Sequence, residues 1–405
     1  MAQKGLLARR RPAEWVIRLG LAVLLAAIGY AGVRHALALT ARRNNPAQAH
    51  GLAPHDGRIT ALLAERRFVE GQDASSQAAA TRLARRALHQ DPTAVEAVAT
   101  LGLQAQVRGR TKEARRLFAY AQTLSRREIQ TQLWAIEDAV ARNDIPAALR
   151  HYDIALTTSK GAPDILFPVL TGALSEPTVR RSLVPILARR PVWASGFIAH
   201  AAGSTSDPLS VAALLQALAR ARVPLSATAQ TGVVNNLILG GRIDEGWRYY
   251  ASLRPNADRR RSRDADFSAN LETPSVLDWI PVDDAGIAVS ARDGVADFGV
   301  PPTSGGVLLR QIQLLPPGTY RLEGRSRGIE QAPRALPYWV LSCRDGREFG
   351  RVVVPNSAIA KGVFHGRLTV PRGCPMQTLA LVARPSDEIT GVTGQIDHVR
   401  LAPTE

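Results

Sequence analysis

The most reactive side chains in this 405-residue chain are its two cysteines, Cys343 and Cys374. They are not in a Cys-x-x-Cys pair, so redox catalysis is not expected of them. They either close a structural disulfide or stay as two separate buried thiols. Two cysteines cannot build a disulfide-dense scaffold or a cysteine zinc site. Carboxylates are the next candidates. A glycoside hydrolase needs two facing carboxyl groups about 5–9.5 Å apart. Asp278, Asp283, Asp284, Asp293 and Asp297 form an acidic cluster, whose ordinary role is loop solvation and turn formation. Asp297 or Asp397 would be the place for a structural calcium. The histidines are scattered, with no pair at i, i+3 or i, i+4, so no metal site and no other cofactor is expected. The nucleophile elbow, the zinc-protease helix, the P-loop and the dinucleotide fingerprint are all missing. The chain therefore reads as non-enzymatic, with no catalytic residues.

Sugar recognition needs exposed aromatic rings with polar groups beside them. Trp279, Tyr338, Trp339, Phe349 and Phe364 are the candidates, and core packing competes for each. Tyr338 and Trp339 are adjacent in an expected strand, so they face opposite ways. Trp339 shares its side with Leu341 and Cys343 and goes to the core. Tyr338 is then the better candidate for glycan contact.

Composition limits what these residues can serve. Apolar residues make up 45% and charged ones 21%, which excludes a disordered charged tail. Lysine plus arginine exceed aspartate plus glutamate by 51 − 35 = 16. The excess is nearly all arginine, since only Lys4, Lys112, Lys160 and Lys361 are lysines. Arginine and alanine richness also follows from a GC-rich genome, so no nucleic-acid partner is inferred.

The N-terminus sets the compartment. Lys4, Arg9, Arg10, Arg11 and Arg18 precede the uncharged stretch Leu19–Val33, and Arg34, Arg42 and Arg43 follow it. A spanning helix needs about 20 apolar residues. The stretch becomes long enough if Arg18 and Arg34 snorkel to the two interfaces. Positive charge is heavier before it, so the N-terminus is expected to stay cytoplasmic. The rest would be exported, into the periplasm of a Gram-negative cell. The rival reading is a cleaved signal with Ala36-Leu37-Ala38 as the cleavage site. Either way the cysteines reach an oxidising compartment, and a Cys343–Cys374 disulfide is expected. By loop entropy it is worth roughly 3 kcal/mol.

The middle of the chain repeats at a period of 34 residues. Leu101-Gly102, Gly109, Ala114, Phe118 and Ala121 recur forward as Asn143, Ala148, Tyr152 and Ala155, and backward as Ala80, Ala87 and Pro92. Ala84 takes the aromatic place in the backward copy. Gly241, Gly246 and Tyr250 are a partial later copy. Over residues 59–163 this resembles the tetratricopeptide-repeat family. The resemblance implies stacked helical hairpins with these residues in the core, and a protein-binding surface on the solvent side. Residues 164–255 read as further hairpins, broken into short helices at Pro168, Pro177, Pro185, Pro191, Pro208 and Pro224. The surface arginines, Arg82, Arg85, Arg108 and Arg116 among them, read as a solvated helix face.

Residues 256–266 are polar and charge-dense and read as a linker. Beyond them come short runs spaced by Gly and Pro: 307–312, 320–322, 338–343, 351–354, 364–370, 377–384 and 395–401. This is the pattern of an antiparallel sandwich. The elements Asp278-Trp279, the turn and strand Pro316–Leu322, Trp339–Cys343, Val370–Cys374 and Gly394–Leu401 carry a second resemblance. Residues 267–401 look like the jelly-roll domain, similar to carbohydrate-binding modules, that follows tetratricopeptide repeats in some bacterial proteins linked to exopolysaccharide production and export. The expected order is therefore a basic tail and anchor (1–43), a helical repeat domain (44–255), the linker, and an all-β jelly roll (267–405). The expected role is a membrane-anchored scaffold whose repeats bind a protein and whose sandwich binds polysaccharide or a second component. A carbohydrate-active enzyme and a purely structural envelope protein are the alternatives.

Overall fold

The computed structural model describes residues 12–71, 73–282 and 286–404. The chain forms two compact units, Met1–Leu166 and Phe167–Glu405, and each is taken by itself.

The first unit begins with α1 (Pro12–Ala41), long and apolar enough to cross a membrane, with its apolar side chains exposed from Trp15 to Leu39. The helix outruns the uncharged stretch, and its last turns are not bare. Ala38 is fully buried with Ala49 and Ile59, and Arg34 donates to the carbonyls of Gly51 (3.4 Å) and Leu52 (2.9 Å). The Arg34 guanidinium, expected to snorkel, thus satisfies the orphan carbonyls at the end of α2 (Pro46–Leu52).

Three helix pairs follow: α3 (Gly57–Glu70) with α4 (Ala74–Gln90), α5 (Val95–Val107) with α6 (Thr111–Leu124), and α7 (Ile129–Ala141) with α8 (Ile145–Thr158). The repeat spacing has a packing cause. A Cβ on Gly102 would come within 2.8 Å of the Phe118 ring, so only glycine lets that ring cross α5. Phe118 in turn stacks on Trp134 of the next pair, centroids 4.4 Å apart. Ala80, Ala84, Ala87, Ala114, Ala121, Ala148 and Ala155 are all buried, as is Tyr152, while Leu101 is half-buried and Pro92 lies exposed in a turn. The turn residues Gly109 and Asn143 have φ of 73° and 56°. Each closes a helix end with the same bonds: Arg110 N–H to the Ala105 carbonyl, and Asp144 N–H to that of Ala139.

The second unit opens with short helices: α9 (Ala162–Gly172, entering from the first unit), α10 (Pro177–Ala188), α11 (Ala194–Gly203), α12 (Pro208–Arg220), α13 (Ala227–Leu239) and α14 (Ile243–Leu253). Pro177 and Pro208 start helices, but Pro168 and Pro185 lie inside α9 and α10 rather than breaking them. Both are exposed, so the carbonyls they orphan, one turn back, face water. The partial repeat copy is the α13–α14 hairpin. Gly241 (φ 82°) makes its turn, Gly246 lies against Ile238, and Tyr250 is buried.

Ten strands follow among the described residues: β1 (Ile280–Pro281), β2 (Ala288–Arg292), β3 (Val295–Val300), β4 (Gly306–Gln313), β5 (Gly318–Arg327), β6 (Tyr338–Cys343), β7 (Glu348–Val353), β8 (Val363–Val370), β9 (Gln377–Ala383) and β10 (Val392–Pro403). They form two antiparallel sheets, β1-β4-β9-β6-β7 and β2-β3-β10-β5-β8. Strands β3 to β10 alternate between the sheets, except for the β6–β7 hairpin, in jelly-roll order, with β1 and β2 extending one edge of each. Between the sheets lies a core of large side chains, in which Trp279 and Trp339 pack at 5.5 Å. Cys343, at the end of β6, is bonded to Cys374 in the loop before β9. Gln377 fixes that loop, bonding the Cys374 carbonyl and both the N–H and the carbonyl of Leu315.

Residues 256–266 carry no regular element, and one of them, Arg263, is held in the core. Arg263 is buried and donates to the carbonyls of Leu277 (2.8 Å) and Ile312, while its backbone is bonded at both ends by the Gln311 amide.

Candidate functional site

Most of the repeat motif residues are core, so a surface for a partner would be formed largely by other residues of the first unit. One groove of about 440 Å³ lies among α6, α7 and α8. Its polar wall is Arg115, Arg126, Arg142, Asp138 and His151, and Trp134 and Ala135 form its floor. Asp138 bonds Arg115 (2.9 Å) and Arg142 (3.2 Å), leaving the groove basic. The His151 ring bonds the Gln132 side chain at 2.9 Å, and burial followed by Arg150 and Arg142 lowers its pKa. Nearer α1, Glu65, Glu96 and Glu128 approach one another. Burial first, then Glu128 and Glu96, pushes the Glu65 carboxyl up to about 7, while Arg43 opposes. Glu128 is spoken for: it accepts the N–H groups of Gln130 and Thr131 at the start of α7.

In the second unit the acidic cluster does not gather into a carboxylate pair. Asp283 and Asp284 lie outside the described residues. Asp278 is buried and accepts from Tyr250 Oη at 2.7 Å and from the N–H (2.8 Å) and hydroxyl (2.6 Å) of Ser275. This ties α14 to the entry of the sandwich, beside the Arg263 guanidinium. Burial pulls the Arg263 pKa down to about 10, with Tyr250 and Asp278 opposing, and it pushes the Tyr250 hydroxyl well up. Asp293 bonds Asn270 (2.9 Å), and Asp297 bonds Gln395 (3.0 Å). Asp397 sits between Arg325 (2.9 Å) and Arg327 (2.8 Å), a setting that repels a cation rather than holding one. A cavity of about 660 Å³ lies at the sandwich entrance against Asp264, Glu272, Trp279, Arg292 and Asp293. Trp279 offers it little ring surface, because the indole is buried and donates to the Asp264 carbonyl at 2.9 Å.

Of the aromatic candidates, Trp279, Trp339 and Phe364 are buried in the core and Phe349 packs against it. Tyr338 faces the other way and is half-buried. Its ring is already occupied: the Arg351 and Arg384 guanidinium carbons lie 4.7 and 4.8 Å from its centroid. A sugar could stack there only by displacing an arginine, a cation–π contact worth about 0.5–1 kcal/mol at an exposed site.

A further surface lies away from the aromatic candidates. On the outer face of β2-β3-β10-β5-β8 a shallow groove of about 510 Å³ runs past Ser290, Asp297, Gly299, Thr393, Gln395 and Arg327. A Cβ on Gly299 would meet nothing within 4 Å, so the groove is floored by backbone there. The signal for it in the sequence is the alternation within 319–327, where Thr319, Arg321, Glu323, Arg325 and Arg327 interleave with Tyr320, Leu322, Gly324 and Ser326.

No family model and no curated protein matches the sequence. Among solved structures, the glycosylation-associated protein complex Gap123 of Streptococcus agalactiae is similar at TM-score 0.21 and 13% identity, covering 30% of this chain and 43% of that one. The enzymatically active domain of tailspike protein 4 of bacteriophage CBA120 is similar at TM-score 0.25 and 12% identity, covering 35% and 21%. Accessory secretory proteins 1, 2 and 3 of Streptococcus pneumoniae are similar at TM-score 0.21 and 14% identity, covering 30% and 87%. The chain thus spans less than half the length of the first two. Similarities of this extent carry no inference about role.

Proposed function

We propose that this protein is a non-enzymatic scaffold of the cell envelope, anchored by α1, with its repeats engaging a protein partner and its sandwich engaging polysaccharide. The observation that carries the anchor is the packing of the last turns of α1. The alternative cleavage site, Ala36-Leu37-Ala38, lies within an unbroken helix, and Ala38 is fully buried against the start of the repeats. A peptidase needs an extended, accessible segment, and cutting there would strip the first helix layer. The Cys343–Cys374 bond fits the oxidising side of a membrane, which supports a reading with the bulk of the chain outside and the N-terminus cytoplasmic. Exopolysaccharide synthesis or secretion is the process suggested by the family resemblance.

The non-enzymatic reading is supported by the state of the described carboxylates at the sandwich entrance. Asp278 and Asp293 hold donors of their own chain, as a structural role requires. The work of such a protein is colocalisation, two ligands held by one chain at raised local concentration. The test is binding and hydrolysis together, with the full chain in detergent micelles and the polysaccharides of the producing cell. Saturable binding without release of reducing ends is expected. Release would overturn the non-enzymatic reading, and absence of binding to every polymer would reduce the role to protein assembly. Intact mass of the protein from membranes should include residues 1–38; a mass lacking them would overturn the anchor.

A further inference from the structure

The outer face of the β2-β3-β10-β5-β8 sheet carries its charge in an ordered way. Strand register puts Arg292, Arg321, Arg325, Arg327, Arg367 and Arg400 on this one face. The carboxylates on its strands are Asp297, Glu323 and Asp397. Two of the three are shared between pairs of arginines: Glu323 by Arg321 (3.2 Å) and Arg400 (3.8 Å), Asp397 by Arg325 and Arg327. The Glu323 cluster therefore keeps a net positive charge, while Asp266, bonded to His398 at 2.6 Å, adds a further negative charge beside Arg325. Arg367 has no carboxylate partner among the described residues and stands directly opposite Arg321 across the strands. Like charges directly opposite destabilise a sheet, and an arriving anion relieves that repulsion. All six side chains are in contact with water; the Arg327 side chain is 66% exposed and Arg321 56%.

Three of the arginines gather at one end of the face: Arg321, Arg367 and Arg400 lie toward the Thr319 end of β5, whereas Arg325 and Arg327 lie toward its other end, where the groove floored by Gly299 runs. Its walls there are mainly hydroxyl, amide and carboxylate, from Ser290, Thr393, Gln395 and Asp297, with Arg327 at its rim. These groups bond hydroxyls, whereas guanidinium forks bind carboxylates in bidentate fashion. Among the described residues no Phe, Tyr or Trp side chain lies on this face to stack on a nucleobase or to enter a bilayer.

We propose that this face binds a linear acidic polysaccharide. Arginines at the Thr319 end pair with its carboxylates, and Asp297, Thr393 and Gln395 bond its hydroxyls in the groove. This rests on the glycan reading of the sandwich given above and names the class of polymer and the surface. The probe is polygalacturonate, one carboxylate per sugar, titrated into the full chain in detergent at 0.15 M salt (about an 8 Å screening length). Dextran and vesicles of anionic phospholipid are the comparisons. The variant Arg321→Gln/Arg367→Gln/Arg400→Gln should weaken binding about tenfold or more, equivalent to about 1.4 kcal/mol. Arg82→Gln/Arg85→Gln/Arg116→Gln removes the same charge from the helical repeats and should change it by less than about twofold. Gly299→Phe fills the groove and should weaken binding with no change of charge.

An equal loss in the two triple variants would reduce the effect to net charge and overturn the proposal. So would equal competition by dextran, or tighter binding of the vesicles through the same arginines. Polysaccharide binding that survives the face variants would sink this surface and leave the glycan reading intact. No binding to any polymer, acidic or neutral, would sink both.

Discussion

The helix pairs of the first unit and the jelly roll of the second bury their cores by opposite means. Around α3, α4 and α5 the contact is made by Ala61, Ala64, Ala84, Ala87, Ala94 and Ala97, all essentially inaccessible. Between the two sheets it is made by Trp279, Phe298, Tyr320, Trp339 and Phe364 with leucines and valines. An alanine core works through backbone proximity: the helices meet because nothing keeps them apart. A tryptophan core works through filled volume, with two sheets held about 10 Å apart by their side chains. The first should resent any added atom and the second any missing one.

The largest effect should come from emptying the sandwich. Trp339→Ala removes a fully buried indole and should cost about 3–5 kcal/mol, read by denaturant unfolding with hydrogen exchange to assign the loss to residues 267–404. A loss below 1 kcal/mol would mean that the sandwich collapses around the hole, and the contrast would fail. The disulfide comes next. Cys343→Ser/Cys374→Ser should cost roughly 3 kcal/mol and leave exchange in the helical repeats untouched. Overfilling the alanine layer is third: Ala84→Leu should cost about 1–3 kcal/mol and Gly102→Ala somewhat less, because the Phe118 ring must shift for its Cβ. Neutral or stabilising results would show slack between the helices.

The smallest effect is electrostatic. Glu65 keeps its proton in the folded chain up to about pH 7, against about 4.5 unfolded. The folded state therefore binds more protons in that window, and the stability of the first unit should fall as pH rises from 4.5 to 7. The shift sets a ceiling of about 3 kcal/mol, which partial exposure brings to roughly 1–2. Glu65→Gln should flatten the slope measured by thermal unfolding across that range.

Much of this contrast is written in residue order. A 34-residue period with small residues at fixed places exposes helix pairs because each position meets the same neighbour in every copy. Register also shows how copies compensate. Gly102 and Phe118, small then large, correspond to Phe68 and Ala84, large then small. Strands β4 to β10 were readable from alternation, which also turned Trp339 inward and Tyr338 outward. Strands β1 and β2 were not, since Ile280-Pro281 is two residues long and Ala288–Arg292 has a single large apolar side chain. Buried charge was hidden as well. Arg263 lies in a run of arginines that reads as solvated, and only the arrival of the Leu277 and Ile312 carbonyls makes it a core residue. The candidate surface was missed for a related reason. Arg321 and Arg367 are far apart in sequence, and the pairing of β5 with β8 makes them one face. Tyr338 faces out as expected, but the two arginines over its ring come from β7 and from just past the end of β9.

The contact of Arg34 with the end of α2 has a mechanical meaning. A turn joins α1 to α2, but Arg34 and Ala38 pack α1 against the first helices, so it acts on them as a lever. Transmembrane helices tilt by about 20° on average, and by more where the bilayer is thinner than the apolar stretch. Once α1 is in a bilayer, any such tilt is passed to the first helix pair at the same angle. The direction in which that pair points is fixed by the azimuth of α1. One residue added between Arg34 and Ala41 within the helix would swing it by about 100°.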